Sequence, residues 1–220
     1  VQHAVADALV LKKIRAALGG QAEWAISGGA ALGERLGHFY RGVGLKVLEG
    51  YGLTETTAPA CVNVPDKPKI GTVGPPLPGA AFRIDADGEV LIQGPQVFRG
   101  YHNNPEATAE AFVDGWFRSG DLGSLDEDGY LRITGRVKDI FKTSKGKYVA
   151  PAPIEGEIAK NTWVEQVCLM GSNRDQPLAL IDLSPAARAQ AREQIAADLL
   201  VTLERLNAAL PAHERLSHLL

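Results

Sequence analysis

One short stretch of the sequence combines an aromatic ring, hydroxyl groups and a carboxylate. Gly50 and Gly52 flank Tyr51, and Thr54 and Glu55 follow directly. A tyrosine ring can stack on a flat ligand, threonine hydroxyls can bond phosphate oxygens, and a carboxylate is a hard oxygen ligand suited to Mg²⁺. The open alternative is an ordinary strand-to-loop turn in which the threonines cap the backbone.

Two further segments carry small residues or an acid at positions typical of ligand contact. Gly28, Gly29 and Ala30 follow the apolar run Trp24–Ser27, where glycines permit close approach to a planar ligand or a phosphate. Asp121 follows a glycine at the start of a strand, a position from which acids often accept ribose hydroxyls. The alternatives are small residues packing at a helix N-terminus and a solvated turn aspartate.

A basic segment lies further along the chain, at residues 135–147. A single acid, Asp139, accompanies five cations, which are Arg136, Lys138, Lys142, Lys145 and Lys147. On a chain of net charge −3, this concentration predicts a local anion site. A solvated basic face is the alternative.

The elements that position these residues change in type along the chain. Residues 1–52 predict a helix, a buried strand at 24–27, a second helix over 30–42 and a strand over 45–49. That order is typical of a parallel α/β layer, which binds ligands in loops at the carboxyl ends of its strands.

Residues 65–135 predict antiparallel structure. Two hairpins surround the turns Asp85–Gly88 and Asp126–Gly129, and Asn104 followed by Pro105 predicts a capped helix between them. After residue 150, strands are predicted over 164–170 and 178–183, followed by one long helix that begins after Ser184.

The predicted architecture is therefore α/β and α+β in three parts. Residues 1–64 form a partial α/β nucleotide-binding subdomain, 65–135 a β-rich subdomain, and 136–220 a small α+β domain after a hinge. Composition excludes general disorder, because 45% of the residues are hydrophobic, and the acidic balance disfavours nucleic acid. Cys61 and Cys168 form no disulfide framework, which indicates a reducing cytoplasm, and no apolar run is long enough to span a membrane.

Six motifs in register resemble the adenylate-forming superfamily, which includes acyl-CoA synthetases. They are Ser27-Gly-Gly-Ala-Ala-Leu32, Tyr51-Gly-Leu-Thr-Glu55, Gly71-Thr-Val-Gly-Pro-Pro76, Gly100-Tyr101, Trp116-Phe-Arg-Ser-Gly-Asp-Leu122 and Gly135-Arg-Val-Lys-Asp139. The run Thr143–Glu155 is similar to the long-chain fatty acyl-CoA synthetase branch. The resemblance covers almost the whole chain.

The resemblance implies a ligase that activates a long-chain fatty acid with ATP and Mg²⁺ to an acyl-adenylate and transfers the acyl group to CoA. It also implies residue roles in the first part of the chain. Gly28, Gly29 and Ala30 would lie against adenine, and Tyr51, next to Gly52, would stack on it. Thr54 would bond the α-phosphate, Glu55 would help hold Mg²⁺, and Asp121 would accept the ribose hydroxyls.

The basic segment has implied roles as well. Arg136 would approach the ribose, and Lys138 or Asp139 would be the hinge of the small domain. Lys142 would reach the nucleotide, while Ser144 and Gly146 would border the CoA path.

Two elements of the superfamily pattern do not appear in the sequence: the Ser/Thr/Gly-rich phosphate loop and a lysine near the C-terminus. The expectation is therefore a truncated piece that is catalytically incompetent by itself and self-associates through exposed apolar surface. Peripheral contact of the ligase with a membrane is a further expectation. The alternatives are a non-catalytic nucleotide- or partner-binding remnant, and a superfamily ligase acting on another carboxylic acid.

Overall fold

The computed structural model describes residues 5–220, which fall into two compact units. The first unit ends at Ile133 and the second spans Thr134–Leu220. The predicted N-terminal helix begins in residues 1–4, which lie outside the described residues.

A three-stranded sheet and its helices make up the start of the first unit. In chain order the elements are a π-helical turn Asp7–Leu11, α1 Lys12–Ala17, β1 Trp24–Ser27, α2 Glu34–Val43, β2 Lys46–Leu53, a 3-10 turn Thr54–Thr56 and β3 Ala58–Val62. Strand β1 pairs parallel with β2, as predicted, but β3 pairs antiparallel on the other side. The sheet is therefore mixed rather than purely parallel.

Strand β1 lies at the edge of this sheet and is not buried, contrary to the prediction. Its side chains Trp24 and Ile26 are 54% and 62% exposed. The apolar run fits a strand, but the sheet order β1-β2-β3 leaves β1 with one neighbour. Apolar sequence alone does not distinguish a buried strand from an exposed edge.

The second helix and strand also differ from their predicted bounds. Helix α2 begins at Glu34, four residues later than predicted, because the side chain of Glu49 accepts the backbone N–H of Leu32 and holds that loop in a non-helical form. Strand β2 runs on to Leu53, so Tyr51 lies within a paired strand.

A five-stranded antiparallel sheet follows in the first unit, and the last three residues of its final strand belong to the second unit. Its elements are β4 Ala81–Ile84, β5 Glu89–Gln93, α3 Pro105–Glu110, β6 Phe112–Val113, β7 Trp116–Leu125 and β8 Leu131–Arg136. The order is β4-β5-β7-β6, with β8 also pairing with β7. Both hairpins are confirmed, as is the helix start, where the Asn104 side chain accepts the Ala107 N–H at 3.0 Å.

The core of the first unit joins its two sheets. Ala60 and Cys61 from β3 pack in one cluster with Val90 and Ile92 from β5 and Phe117 from β7. Phe98 and Phe112 stack at the edge of this cluster with their ring centroids 5.7 Å apart. The strand that carries Tyr51 therefore stands on a common core with the strand that carries Asp121.

The second unit is a small α+β fold. Its elements are a 3-10 turn Val137–Asp139, β9 Phe141–Lys142, β10 Tyr148–Val149, α4 Pro151–Ile158, β11 Val164–Met170, β12 Leu178–Leu183, α5 Pro185–Arg188 and α6 Arg192–Ala209. Strands β9 and β10 form a hairpin, and β11 pairs antiparallel with β12. Ile154, Ile158, Leu169 and Leu206 belong to its separate core.

One prediction for the second unit is wrong in detail. Ser184 caps a helix as predicted, since its hydroxyl accepts the Ala187 N–H at 3.3 Å, but the helix ends at Arg188 and a second one begins at Arg192. Among the described residues, no helix is both long enough and apolar enough to span a bilayer.

Candidate functional site

Tyr51 and the loop after it are shaped by tight backbone packing. A Cβ atom built on Gly52 would lie 1.8 Å from the carbonyl oxygen of Ala58, so only glycine fits there. The fully buried Thr56 bridges the turn, because its hydroxyl accepts the Leu53 N–H at 2.9 Å and lies 3.0 Å from the Ala58 carbonyl oxygen. This turn leaves Thr54 exposed.

The Tyr51 hydroxyl donates to the carboxylate Oδ2 of Asp121 at 2.6 Å, across 70 residues of sequence. Asp121 is 3% exposed. Burial, reinforced by this hydrogen bond, raises the pKa of Tyr51 well above its ordinary value, so the phenol stays neutral. The structure thus brings together two of the predicted ligand-contacting residues and fixes the tyrosine ring at its far end.

The loop of residues 28–30, which follows β1, lies beside β2, the strand that carries Tyr51. A Cβ atom on Gly28 would come within 3.3 Å of the Gly50 carbonyl oxygen, and Gly29 adopts a φ of +85°. Glu49, only 8% exposed, ties the loop to β2 by accepting the Leu32 N–H at 2.9 Å. The exposed backbone of Gly28 to Ala30 is therefore held next to Tyr51.

Glu55 lies at the surface, in the 3-10 turn. Its carboxylate accepts the hydroxyl of Tyr101 at 2.9 Å, and its carbonyl accepts the Phe98 N–H at 2.7 Å. Within the part of the chain that the structure describes, no three His, Cys, Asp or Glu side chains gather into a metal-binding cluster. A single carboxylate fits Mg²⁺ that arrives with a nucleotide, since this ion keeps several waters and takes its other ligands from substrate phosphates.

The predicted residues of the basic segment belong to the second unit. Lys142, on β9, places its ammonium 5.4 Å from the ring centre of Tyr148 on β10. The hairpin turn has Gly146 at a φ of +76°, and the Ser144 hydroxyl bonds the Asp175 carboxylate. Arg136 ends β8, and the exposed Lys138 lies in the 3-10 turn after it.

Two contributors to the site carried no predicted role. Glu49 and Tyr101 stand inside or beside the motifs, but each acts through a contact distant in sequence: with Leu32 across 17 residues and with Glu55 across 46. A signal for Glu49 existed, because an acid between buried positions of a strand needs a partner. Tyr101 had no comparable signal.

Comparison with known protein families matches both units. The model described as AMP-binding enzyme matches residues 3–102, and the model described as AMP-binding enzyme C-terminal domain matches residues 138–219. Together the two matches span most of the chain, in the order that the sequence motifs predict. The chain belongs to the AMP-binding enzyme family.

Curated relatives of this chain include long-chain fatty acid–CoA ligases and acyl-CoA synthetases. It is 52% identical over 186 residues to the long-chain-fatty-acid–CoA ligase FadD15 of Mycobacterium tuberculosis, a match that covers 84% of this chain and 31% of that protein. It is 37% identical over 190 residues to long chain acyl-CoA synthetase 4 of Arabidopsis thaliana, covering 80% and 28%. The chain spans about a third of the length of these relatives.

Solved structures agree with the fold of this chain. An ATP-bound RpMatB–BxBclM chimera is 31% identical with a TM-score of 0.75, and the match covers 89% of this chain and 41% of that one. O-succinylbenzoate coenzyme A synthetase from Bacillus subtilis, solved with ATP and a magnesium ion, has a TM-score of 0.74 at 24% identity, covering 94% and 46%. The second likeness establishes the fold alone.

Proposed function

We propose that this chain supplies the nucleoside-binding loops and the basic hairpin of an ATP-dependent long-chain fatty acid–CoA ligase. The observation that carries the proposal is the hydrogen bond between Tyr51 and Asp121, because it joins the two residues suited to adenine and ribose. The 52% identity to a long-chain-fatty-acid–CoA ligase supports the choice of acid.

In the nucleoside part of the site, each residue has one task. Tyr51 stacks on adenine, and the hydrogen bond at its hydroxyl fixes the plane of the ring. Gly28 to Ala30 cover the edge of the base with exposed backbone. Asp121 accepts ribose hydroxyls, since a carboxylate offers about four lone-pair positions.

At the phosphates, the exposed Thr54 hydroxyl donates to the α-phosphate and Glu55 holds Mg²⁺. The bound ion would neutralise phosphate charge during displacement at the α-phosphorus. Tyr101 orients Glu55 by donating to its carboxylate. These contacts position the reacting groups and stabilise negative charge. Positioning and charge stabilisation account for most of the catalysis of phosphoryl chemistry by proteins.

The basic hairpin carries the proposed contacts of the second unit. Lys142 would attract the nucleotide, Arg136 the ribose, and the turn of Ser144 and Gly146 would border the path of CoA. Lys138 would lie at the hinge, between the domains 1–135 and 136–220. Both cysteines are free thiols, which supports a location in the reducing cytoplasm.

Calorimetric titration of the chain with AMP tests the nucleoside part. We expect Asp121→Asn to weaken AMP binding by about tenfold or more, which is about 1.4 kcal/mol, because a neutral amide is a weaker acceptor for two hydroxyls. Glu34→Gln, which alters a surface ion pair of the same unit, is the control. Equal affinity of the Asp121→Asn variant and the unaltered chain would contradict the proposal.

The acid is tested separately in the whole ligase to which we propose this chain belongs, because the chain by itself is expected to be catalytically incompetent. The assay is pyrophosphate exchange into ATP with palmitate, benzoate or acetate. Exchange driven best by palmitate supports the long-chain assignment, whereas exchange driven by benzoate or acetate contradicts it. If AMP binds but none of the acids supports exchange, the chain acts as a nucleotide-binding module, which is the second candidate.

A further inference from the structure

Strand β7 contains an irregularity immediately before Asp121. Leu91 of β5 pairs with Arg118 of β7, but two residues earlier on β5, Glu89 pairs with Leu122. Between these two pairs, one residue of β5, Val90, lies opposite three residues of β7, 119–121, which leaves two extra residues in β7. Bulges of this kind change the direction of a side chain and are common beside functional sites.

The bulge displaces backbone groups from the ladder, and side chains replace their partners. In regular register Glu89 would face Gly120; instead, the Glu89 carboxylate Oε1 accepts the Gly120 N–H at 2.9 Å. The Ser119 hydroxyl accepts the Asp121 N–H at 3.1 Å and donates to the Val90 carbonyl at 2.6 Å. Gly120 has a φ of +72°, which places the turn of the bulge at the residue that tolerates it.

Glu89 is itself held in one orientation. Its side chain is 3% exposed, and Oε2 accepts two hydrogen bonds from Arg118, from Nε at 2.9 Å and from Nη2 at 2.6 Å. These two charge-assisted hydrogen bonds hold Oε2 against the guanidinium of Arg118. One oxygen of Glu89 is thus committed to Arg118 and the other to the backbone of the bulge.

Building this arrangement places a charge in a buried position, which costs free energy unless it is paired. A regular, apolar pairing of β5 with β7 would avoid that cost. What the bulge adds is the direction of Asp121, whose carboxylate meets the Tyr51 hydroxyl at 2.6 Å. The buried Glu89 therefore lies where it can set the direction of Asp121 relative to Tyr51.

We propose that Glu89, locked by Arg118, is a positioning residue that holds the Ser119–Asp121 bulge and so aims Asp121 at Tyr51 and at the ribose. Glu89 touches no ligand and works through the Gly120 amide. The ribose part of the inference rests on the proposed function, whereas the Tyr51 part does not.

The test compares two ligands, AMP and 2′,3′-dideoxyadenosine monophosphate, which lacks both ribose hydroxyls. We expect Glu89→Gln to weaken AMP binding about fivefold or more and to leave binding of the dideoxy ligand unchanged, so that discrimination between them collapses, as in a double-mutant cycle. Glutamine has one acceptor oxygen, so it serves either Arg118 or Gly120 but not both. Arg118→Lys, which keeps the charge and loses the fork, should retain part of the discrimination.

The controls separate the two hypotheses. Asp121→Asn must abolish the discrimination; if it does not, or if AMP does not bind, the proposed function is wrong. If Asp121→Asn abolishes it but Glu89→Gln weakens both ligands equally, or neither, Glu89 is only structural and the inference is overturned. Glu34→Gln, in a surface ion pair of the same unit, should keep full discrimination.

A second readout needs no nucleotide. In the unaltered chain the Tyr51 phenol should ionise only at very high pH in an ultraviolet titration, and Tyr51→Phe identifies its share of the signal. Glu89→Gln should move that ionisation to lower pH, because the partner at the hydroxyl is displaced. Arg118→Lys, which loosens Glu89 and leaves Tyr51 itself untouched, should do so to a smaller extent, and an unchanged titration in both folded variants would contradict the positioning role.

Discussion

Tyr51 in the first unit and Lys142 in the second are both predicted to contact a nucleotide, yet the structure holds them differently. The Tyr51 hydroxyl is fixed at 2.6 Å from a carboxylate that is 3% exposed, and its strand stands on the core. The Lys142 ammonium lies over Tyr148, whose side chain is 65% exposed, on a two-residue strand. One contact is fixed by burial, whereas the other is a surface contact of a short hairpin.

This difference matches what the two kinds of contact require. A flat base and a ribose are recognised by shape and direction, so the groups that meet them gain from being held in place before binding. A cation acts on phosphate over several ångströms and tolerates imprecise placement. The proposed roles therefore divide recognition, in the buried contacts of the first unit, from charge compensation, in the surface hairpin of the second.

The largest expected effect comes from crowding the fixed region. Gly52→Ala forces a Cβ atom against the Ala58 carbonyl and should destabilise the first unit by about 3 kcal/mol or more, seen as a lower melting temperature. Gly42→Ala, in an exposed turn of α2 with open space around it, is the matched control and should stabilise slightly. Similar melting temperatures for the two variants would contradict the rigid-loop description.

The two cysteines, one in each unit, differ in the same way, because one is buried and the other is exposed. Cys61 is fully buried opposite Tyr51, and burial raises the pKa of its thiol to about 12, while Cys168 is exposed. At pH 8 we expect iodoacetamide to label Cys61 at least about a hundredfold more slowly than Cys168, because labelling requires local opening and a thiolate. AMP should slow Cys61 further, and comparable rates for the two thiols would break the comparison.

A smaller effect is expected from removing the fixed hydrogen bond. Tyr51→Phe takes a donor from a buried carboxylate and should cost about 1–2 kcal/mol at neutral pH in chemical denaturation. Because the folded-state pKa of Tyr51 is raised, its contribution is complete below the unfolded value of about 10 and is lost as the pH rises beyond it. Tyr51→Phe should weaken this alkaline loss, whereas Tyr148→Phe should leave it unaltered.

The smallest effect belongs to the hairpin. Lys142→Ala removes a solvent-exposed cation–ring contact and should change the unfolding free energy by at most about 1 kcal/mol. If Lys142 serves the nucleotide, the same variant should reduce ATP affinity more at low salt than at high salt. A stability loss as large as that of Gly52→Ala would mean that the hairpin is as rigid as the first unit.

Local signals in the sequence were sufficient for the turns and caps. The Asp85–Gly88 and Asp126–Gly129 turns and the Asn104 cap depend on neighbouring residues, so their residue types predicted the hairpins and a helix start. The candidate site residues were selected from separate motifs because those motifs match a family pattern. Their contact with one another, Tyr51 with Asp121, was not predictable from spacing.

The features that could not be predicted from the sequence depend on contacts between residues that are distant along the chain. The start of α2 is delayed to Glu34 because Glu49 captures the Leu32 amide. The proposed role of Glu89 follows from a change in the pairing register of β5 and β7, which no local residue pattern predicts. The break between Arg188 and Arg192 contains neither glycine nor proline, and nothing local marks it.

The separation of Tyr51 and Asp121 by 70 positions in the sequence also bears on the order of folding. Closing so long a loop costs chain entropy, and the contact becomes favourable only after β2 and β7 have each found their neighbours. The hairpins of the five-stranded sheet can form early because their partners are close in sequence. Nucleotide-binding competence should therefore be gained last during refolding, so the gain of AMP binding would time the final step of assembly in the first unit.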